Sequence, residues 1–334
     1  MKHKTLFFII STLFFLCIAN KAIAESKLIT IYTYSSFASE KWGAGPKLKS
    51  AFEQLSPQCK IQYVPVSGSG ALFNRIRLEG KKTKADMVIG LNNFMLDAAK
   101  KTKLFAKSHV NLNKISSPFK DQTFIPYGFA EYAFIYDKHK LKNPPKSLKE
   151  LIDRQDLRVI YQDPRTSAVG QGFIAWMNNI YQPNEIQQAW KKLAKHTVTV
   201  GKGWSETYGA FLKGESDLVL SYNTSPLYHL LNENKDNYVA TNFSEASIAQ
   251  VEFSAILKGH ESQCASDFMQ YLVSPEAQKI LSTYNVMLPI VDNISVPEYE
   301  ALKQKTLNSQ LLMPIIPQKQ MKAWINTWQR TLSE

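Results

Sequence analysis

Two aromatic side chains and a run of small hydroxyl and amide groups carry the clearest chemistry in this sequence. They lie within Thr197 to His229, TVTVGKGWSETYGAFLKGESDLVLSYNTSPLYH. Val198 and Val200 form a β-branched run that stops at Gly201 and Gly203. Trp204 follows directly, and Ser205 and Glu206 open a helix carrying Tyr208, Phe211 and Leu212. LVLSY then reads as a buried strand that ends in Asn223, Thr224, Ser225 and Pro226. Two strand ends thus deliver Trp204, Tyr222 and the small polar groups to one neighbourhood. Aromatic plates beside short hydrogen bonders suit a flat, partly polar small molecule, above all a cationic one. Each aromatic taken singly is explained as well by ordinary burial in a core.

A second candidate is the loop Ser67-Gly68-Ser69-Gly70, between a strand and a helix. Its glycines permit close backbone approach, and the helix that follows offers free N–H groups to an anion such as a phosphate. The same loop serves equally as a plain turn with serine as helix cap. Catalytic patterns are thin. Ser67 stands where the first glycine of a G-x-S-x-G elbow is needed. Ser117 to Lys120 matches S-x-x-K without an accompanying K-T-G, which is the pattern of a chance match. The six histidines show no metal-binding spacing, and there is no Walker loop. No metal or cofactor is expected, and an enzyme has no support beyond the presence of carboxylates.

The elements that position these groups alternate. Thr30 to Tyr34, Lys60 to Val66 and Met87 to Leu91 read as strands; helices follow from Pro46 to Leu55, Ala71 to Leu78 and Asn93 to Leu104. Phe129 to Asp137 is a long extended run. Ser147 and Glu150 make a capping box, and Leu157 to Gln162 is a strand leading into Asp163-Pro164-Arg165-Thr166-Ser167. Helices run from Gly170 to Tyr181 and Glu185 to Lys195. Tyr238 to Leu257 is extended, and Glu261 to Tyr284 is helical with a break at Ser274-Pro275. The last helix, Gln318 to Leu332, spaces Trp324 and Trp328 as packing anchors. The expected fold class is α/β in two lobes: residues 25–127, then 128–253, with 254–334 returning to the first. Tyr34, Ser67 to Gly70, Ser167, Trp204 and Tyr222 to Ser225 gather at strand ends, where open α/β sheets bind ligands.

The first 24 residues, MKHKTLFFIISTLFFLCIANKAIA, read as an export signal with a basic start, an apolar core and a small-residue cleavage site near Ala24. Leu16 before Cys17 argues against lipidation. Removal takes Lys2, Lys4 and Lys21 and lowers the formal charge from +12 to +9. Export makes nucleic acid an unsuitable partner, and the lysines are dispersed apart from Lys81 to Lys84, read as a solvated loop. Cys59 and Cys264 remain, and an oxidising compartment leaves both a disulfide and two buried thiols open.

The segments TIYTYSSF with WGAGP, NRIRLEGKKTKAD, VIYQDPRTS, VTVGKGWSETYG and FLKGESDLVLSYNTSPLYH resemble the periplasmic thiamine-binding proteins of bacterial ABC importers. Together they span most of the mature chain. The resemblance implies a two-lobed type II periplasmic binding protein fold, each lobe a mostly parallel sheet flanked by helices, closing on its ligand like a hinged clamp. It implies a periplasmic, monomeric protein that binds thiamine or thiamine phosphates, with an ABC permease and its ATPase as partners. Carried over by position, the ligand contacts fall on Ser167, Ala168, Trp204, Tyr222, Asn223, Thr224 and Ser225. Tyr34 and Tyr228 lie close by, and Gly68 and Ser69 occupy the loop positions where the family has an acid and then glycine. Val286 stands where the family has a cleft tryptophan; Asn223 and Ala168 replace threonines. These departures keep a phosphonate or phosphate ester in play as an alternative ligand, ahead of a periplasmic hydrolase or a sensor. Tyr222 has no adjacent tyrosine, which disfavours the iron chemistry of related ferric-binding proteins.

Overall fold

The computed structural model describes residues 26–116, 120–294, 296–307 and 311–334. The expected export signal, and all but Lys120 of the Ser117–Lys120 motif, lie outside the described residues. The elements run β1 (Lys27–Tyr34), α1 (Gly45–Leu55), β2 (Cys59–Val66), α2 (Ser69–Glu79), β3 (Met87–Asn92), α3 (Leu96–Thr102) and β4 (Ile125–Asp137). They continue with α4 (Leu148–Asp153), β5 (Val159–Gln162), α5 (Ala168–Ile180), α6 (Ile186–Ala194), β6 (Thr197–Gly201), α7 (Trp204–Leu212) and β7 (Leu218–Tyr222). After α8 (Ser225–Glu233) come β8 (Tyr238–Ala240), β9 (Ser247–Ile256), α9 (Gln263–Leu272), α10 (Pro275–Tyr284), α11 (Pro297–Leu307), β10 (Leu311–Leu312) and α12 (Gln318–Ser333).

The strands join in the order β2-β1-β3-β9-β4-β7-β5-β6, with β10 on β9 and β8 on β4. β1 pairs in parallel with β2 and β3, and β5 pairs in parallel with β6 and β7. Such strands are covered on both faces, which suits the unbroken burial of MVIGLN and LVLSY. The two parallel groups are linked by β4 and β9, which lie antiparallel from Ile125↔Ser254 to Glu131↔Ala249. These two strands pass through both cores. Ile125, Tyr127 and Phe129 of β4 pack in the first core with Ile31, Val88, Phe52 and Phe268. Ala130, Tyr132 and Phe134, the next residues of the same strand, pack in the second with Tyr161, Phe173, Trp176 and Trp190. Ile135, Ile160, Tyr208, Phe211 and Val219 form a smaller cluster on lobe two.

Helix ends follow local chemistry. Ser147 caps α4 by accepting from Glu150 N at 2.9 Å, and Glu150 Oε2 reaches back to Lys146 N at 2.8 Å. Ser262 and Ser274 cap α9 and α10, so the expected break at Ser274-Pro275 is where one helix yields to the next. The expected helix from Asn93 to Leu104 is shorter. Asn92 Oδ1 takes the N–H groups of Phe94 and Met95, and Lys103 turns into the left-handed region at φ 56°, so α3 keeps only Leu96–Thr102. Lys81, Lys82 and Lys84 are exposed, as a solvated cluster should be.

The segment after residue 254 does not return wholly to the first lobe. Helix α12 packs on the second core through Met321 and Trp328, and Trp328 Nε1 donates to Tyr161 Oη at 3.1 Å. Trp324 and Trp328 are packing anchors, as their spacing indicated; the spacing named the apolar face but not the lobe that receives it. Cys59 and Cys264 form a disulfide with Cα atoms 5.6 Å apart. It joins the start of β2 to α9 inside the first core. Among the described residues, no helix is long and apolar enough to cross a membrane.

Candidate functional site

A cleft opens where the two lobes meet, lined by a mixture of aromatic and small polar side chains. Tyr34, Gly68, Ser69, Ser167, Ala168, Trp204 and Tyr222 line it. Tyr34 is delivered by the end of β1, and Gly90 at φ 111° leaves room for its ring, which a side chain at that position would strike. Trp204 is the first residue of α7; its ring lies on Tyr208 at 4.6 Å and 15°, and its Nε1 donates to Ser221 Oγ at 2.7 Å. Tyr222 ends β7 and stacks on Tyr132 at 5.4 Å and 27°. Both cleft aromatics therefore rest on a second aromatic that fixes their planes.

Asn223, Thr224, Ser225 and Tyr228 do not line the cleft. Asn223 Nδ2 donates to Glu131 Oε2 at 3.1 Å and Thr306 Oγ1 at 2.9 Å. Thr224 Oγ1 donates to the Val286 carbonyl, across the lobes. Ser225 Oγ pairs with Ser221 Oγ at 2.7 Å, behind Trp204. Tyr228 Oη donates to Lys41 O at 2.8 Å, and its ring packs with Trp42 and Val286. Short polar side chains after a strand look alike in sequence whether they meet a ligand or another part of the chain. Here they bind chain.

The site also contains groups that the sequence reading missed. Trp42 meets Trp204 edge-on at 5.6 Å, and Gln250 and Glu252 join the wall, as does Val286, at the position where the resemblance put a cleft residue, with Asn285 and Met287 beside it. Glu252 is the one acidic residue of the lining, and no Lys, Arg or His lines the cleft among the described residues. Its carboxylate is buried and accepts from Tyr34 Oη at 2.9 Å, Asn285 Nδ2 at 3.1 Å and Gln250 Nε2 at 3.0 Å. Burial raises the Glu252 carboxyl above the usual range, against the opposing pull of neighbouring donors. Burial, followed by the Glu252 charge, likewise pushes the hydroxyls of Tyr34 and Tyr222 well up, so both stay protonated donors. The buried Tyr127 hydroxyl lies near enough to interact with Glu252 and Tyr34, though it makes no hydrogen bond of regular geometry. The missed signal was an alternation: Gln250, Glu252 and Ser254 share one face of β9, between Val251, Phe253 and Ala255. Val286 has φ 58°, an uncommon conformation for a β-branched residue, and its carbonyl is the one bonded by Thr224.

The lobes touch at the cleft rim. Ala71 N donates to Thr166 O at 3.2 Å, and a Cβ on Gly68 would meet the same oxygen at 2.7 Å. A Cβ on Gly203 would strike Ser67 O. Gly203→Ala is therefore expected to keep the rim from closing and to weaken ligand binding about tenfold, by reducing the competent population. The fold should melt normally, because that contact lies between lobes. Titration beside thermal melting measures both; unchanged affinity would show that the rim need not meet.

Behind Trp204 the stack continues. Tyr208 lies over His229 at 5.7 Å and 14°, and its Oη is 3.0 Å from His229 Nε2. His229 Nδ1 is 2.8 Å from Glu233 Oε2, which fixes the proton on Nδ1 and leaves Nε2 to accept from Tyr208. Burial lowers the His229 pKa, with Glu233 opposing. A lowered folded pKa means that the unfolded chain takes the proton first, so this contribution is complete above the unfolded value near 6.5 and is lost as pH falls below it. The melting temperature should drop between pH 7 and 5, and less steeply in His229→Asn. An equal slope in both proteins would remove His229 from the account.

Comparison with known proteins places this architecture. Residues 38–284 match the family model described as bacterial extracellular solute-binding protein. The chain is 55% identical over 329 residues to the thiamine-binding periplasmic protein of Haemophilus influenzae, covering 98% of each chain. It is 48% identical over 322 residues to the protein of the same name from Escherichia coli, covering 95% of this chain and 97% of that one. A solved periplasmic thiamin binding protein superposes with a TM-score of 0.84 at 48% identity, over 92% of this chain and 97% of that one. Its two-lobed fold is the fold described above. With the match extending through both halves of the sheet and across the cleft between them, this chain belongs to the bacterial extracellular solute-binding protein family.

Proposed function

We propose that this protein captures thiamine and its phosphate esters in the periplasm, between its two lobes, and passes them as a monomer to an inner-membrane ABC permease and its ATPase. One observation carries the choice of ligand: the cleft has aromatic walls, one buried carboxylate and no cationic side chain among its described lining residues. Such a lining favours a flat cation over an anion, because aromatic faces and a carboxylate both attract positive charge. Thiamine is an aminopyrimidine joined to a positively charged thiazolium, and relatives of 55% and 48% identity bear its name. Gly68 lacks the acid expected at that position, and Glu252 supplies a carboxylate from another strand.

The phosphate of an esterified ligand would be held without lysine or arginine. Three helices begin at lining residues: α2 at Ser69, α5 at Ala168 and α7 at Trp204. Neither α2 nor α5 has an acid in its first turn; Ala71 N and Val169 N are taken by Thr166 O and Ser167 Oγ, and the positive ends of both helices still favour an anion. This arrangement also favours a second reading, a phosphonate or phosphate ester without a cationic ring. Calorimetric titration of refolded, ligand-free protein separates the two. Binding of thiamine, thiamine monophosphate and thiamine diphosphate supports the proposal. Binding of a simple phosphonate with none of thiamine would reverse it.

A further inference from the structure

We infer that Glu252 is the specificity-determining residue that reads the exocyclic amino group of the ligand's aminopyrimidine, accepting its N–H inside the cleft. The inference deepens the thiamine reading and rests on it. Glu252 sits on β9 where the lobes join, opposite Asn92 of β3 on one side and Gly128 of β4 on the other. Ladders on both edges hold its backbone, so its carboxylate is placed by the most constrained part of the sheet.

The hydrogen bonds around it run in one direction. Tyr132 Oη donates to Gln250 Oε1 at 2.6 Å, and Gln250 Nε2 then donates to Glu252 Oε1 at 3.0 Å. Tyr34 Oη and Asn285 Nδ2 both donate to Glu252 Oε2. Each flanking group spends a donor on the carboxylate, and the two carboxylate oxygens offer about four acceptor positions. Among hydrogen bonds of regular geometry Oε2 has two donors and Oε1 has one, with the Tyr127 hydroxyl also near the carboxylate. The network therefore presents an acceptor to the cleft, and a ligand acceptor placed there would be repelled and left unpaired. Tyr222, stacked on Tyr132 and lining the same cleft, supplies an aromatic face beside this acceptor. An aromatic face beside a buried acceptor fits an amino-substituted ring; within thiamine that ring is the pyrimidine.

The test compares thiamine with its analogue carrying hydrogen in place of the pyrimidine amino group, titrated against the wild-type protein and Glu252→Gln. The wild type should bind the analogue at least about tenfold more weakly, since a buried polar site rejects a ligand lacking its partner. Glu252→Gln keeps the shape but turns one oxygen into a donor, so it should lose most of its thiamine affinity and most of this discrimination. Thermal melting of the variant checks the fold, and the wild-type comparison needs no variant. Equal wild-type binding of both compounds, or full discrimination in Glu252→Gln, overturns the inference while leaving thiamine as ligand. Wild-type protein that binds neither compound overturns the thiamine reading and this inference together.

Discussion

Trp204→Ala is expected to weaken binding of thiamine by about 2–4 kcal/mol, the range of an anchoring aromatic at a desolvated site. Four losses coincide. The ligand loses an aromatic plate, Ser221 loses the indole donor at 2.7 Å, and Tyr208 loses the ring stacked on it at 4.6 Å. Trp42 also loses its edge-on partner at 5.6 Å. Trp204→Phe separates these contributions, because it restores a plate without the N–H. Its affinity should fall between the two. Titration measures all three proteins, and wild-type affinity in Trp204→Ala would remove the stacking wall from the site.

Much of this wall was legible from residue type and order alone. LVLSY forms a strand from Leu218 to Tyr222, between β4 and β5, with all five positions buried; the apolar and aromatic residues pack, and Ser221 is satisfied by Trp204 Nε1 and Ser225 Oγ. Gly201 and Gly203 mark the turn that puts Trp204 at the start of α7. The helix after Tyr222 was not read, although Pro226 is a favourable first-turn residue of α8. Asn223, Thr224 and Ser225 before it resemble a loop and also a ligand-binding cluster. Their real partners, Glu131, Val286 and Ser221, come from distant parts of the chain.

Glu252 was hidden for a different reason. Tyr238 to Leu257 reads as extended, yet it divides into β8 and β9, and only β9 carries the polar alternation. A polar face on a strand usually meets water. On β9, Gln250 and Glu252 of that face meet the cleft between the lobes, and that follows from the antiparallel pairing with both β3 and β4, a tertiary fact. The same limit applies to α12, whose apolar stripe is plain while its host lobe is set by Tyr161 and the second core.

Replacing Cys59 and Cys264 together by serine should cost about 2–5 kcal/mol of stability, the usual range for a native disulfide. Here the upper end applies, because the bridged residues are 205 apart and closing so long a loop removes much freedom from the unfolded chain. The fold explains the position. The first core is assembled from two stretches of chain, one ending near Phe129 and the other resuming near Val251, with the second core formed mainly from the residues between. The disulfide joins these two stretches directly, in the same core in which Phe52 packs on Phe268 at 5.0 Å and Tyr271 at 5.6 Å. Its loss should therefore loosen the first lobe before the second and split a single melting transition into two. Ligand should draw the two back together, since it binds only when both lobes are folded. Calorimetric melting of the double variant, and of wild type under reductant, measures this with and without thiamine. A melting temperature unchanged by both treatments would show that packing around Phe52 holds the two stretches together without the covalent link.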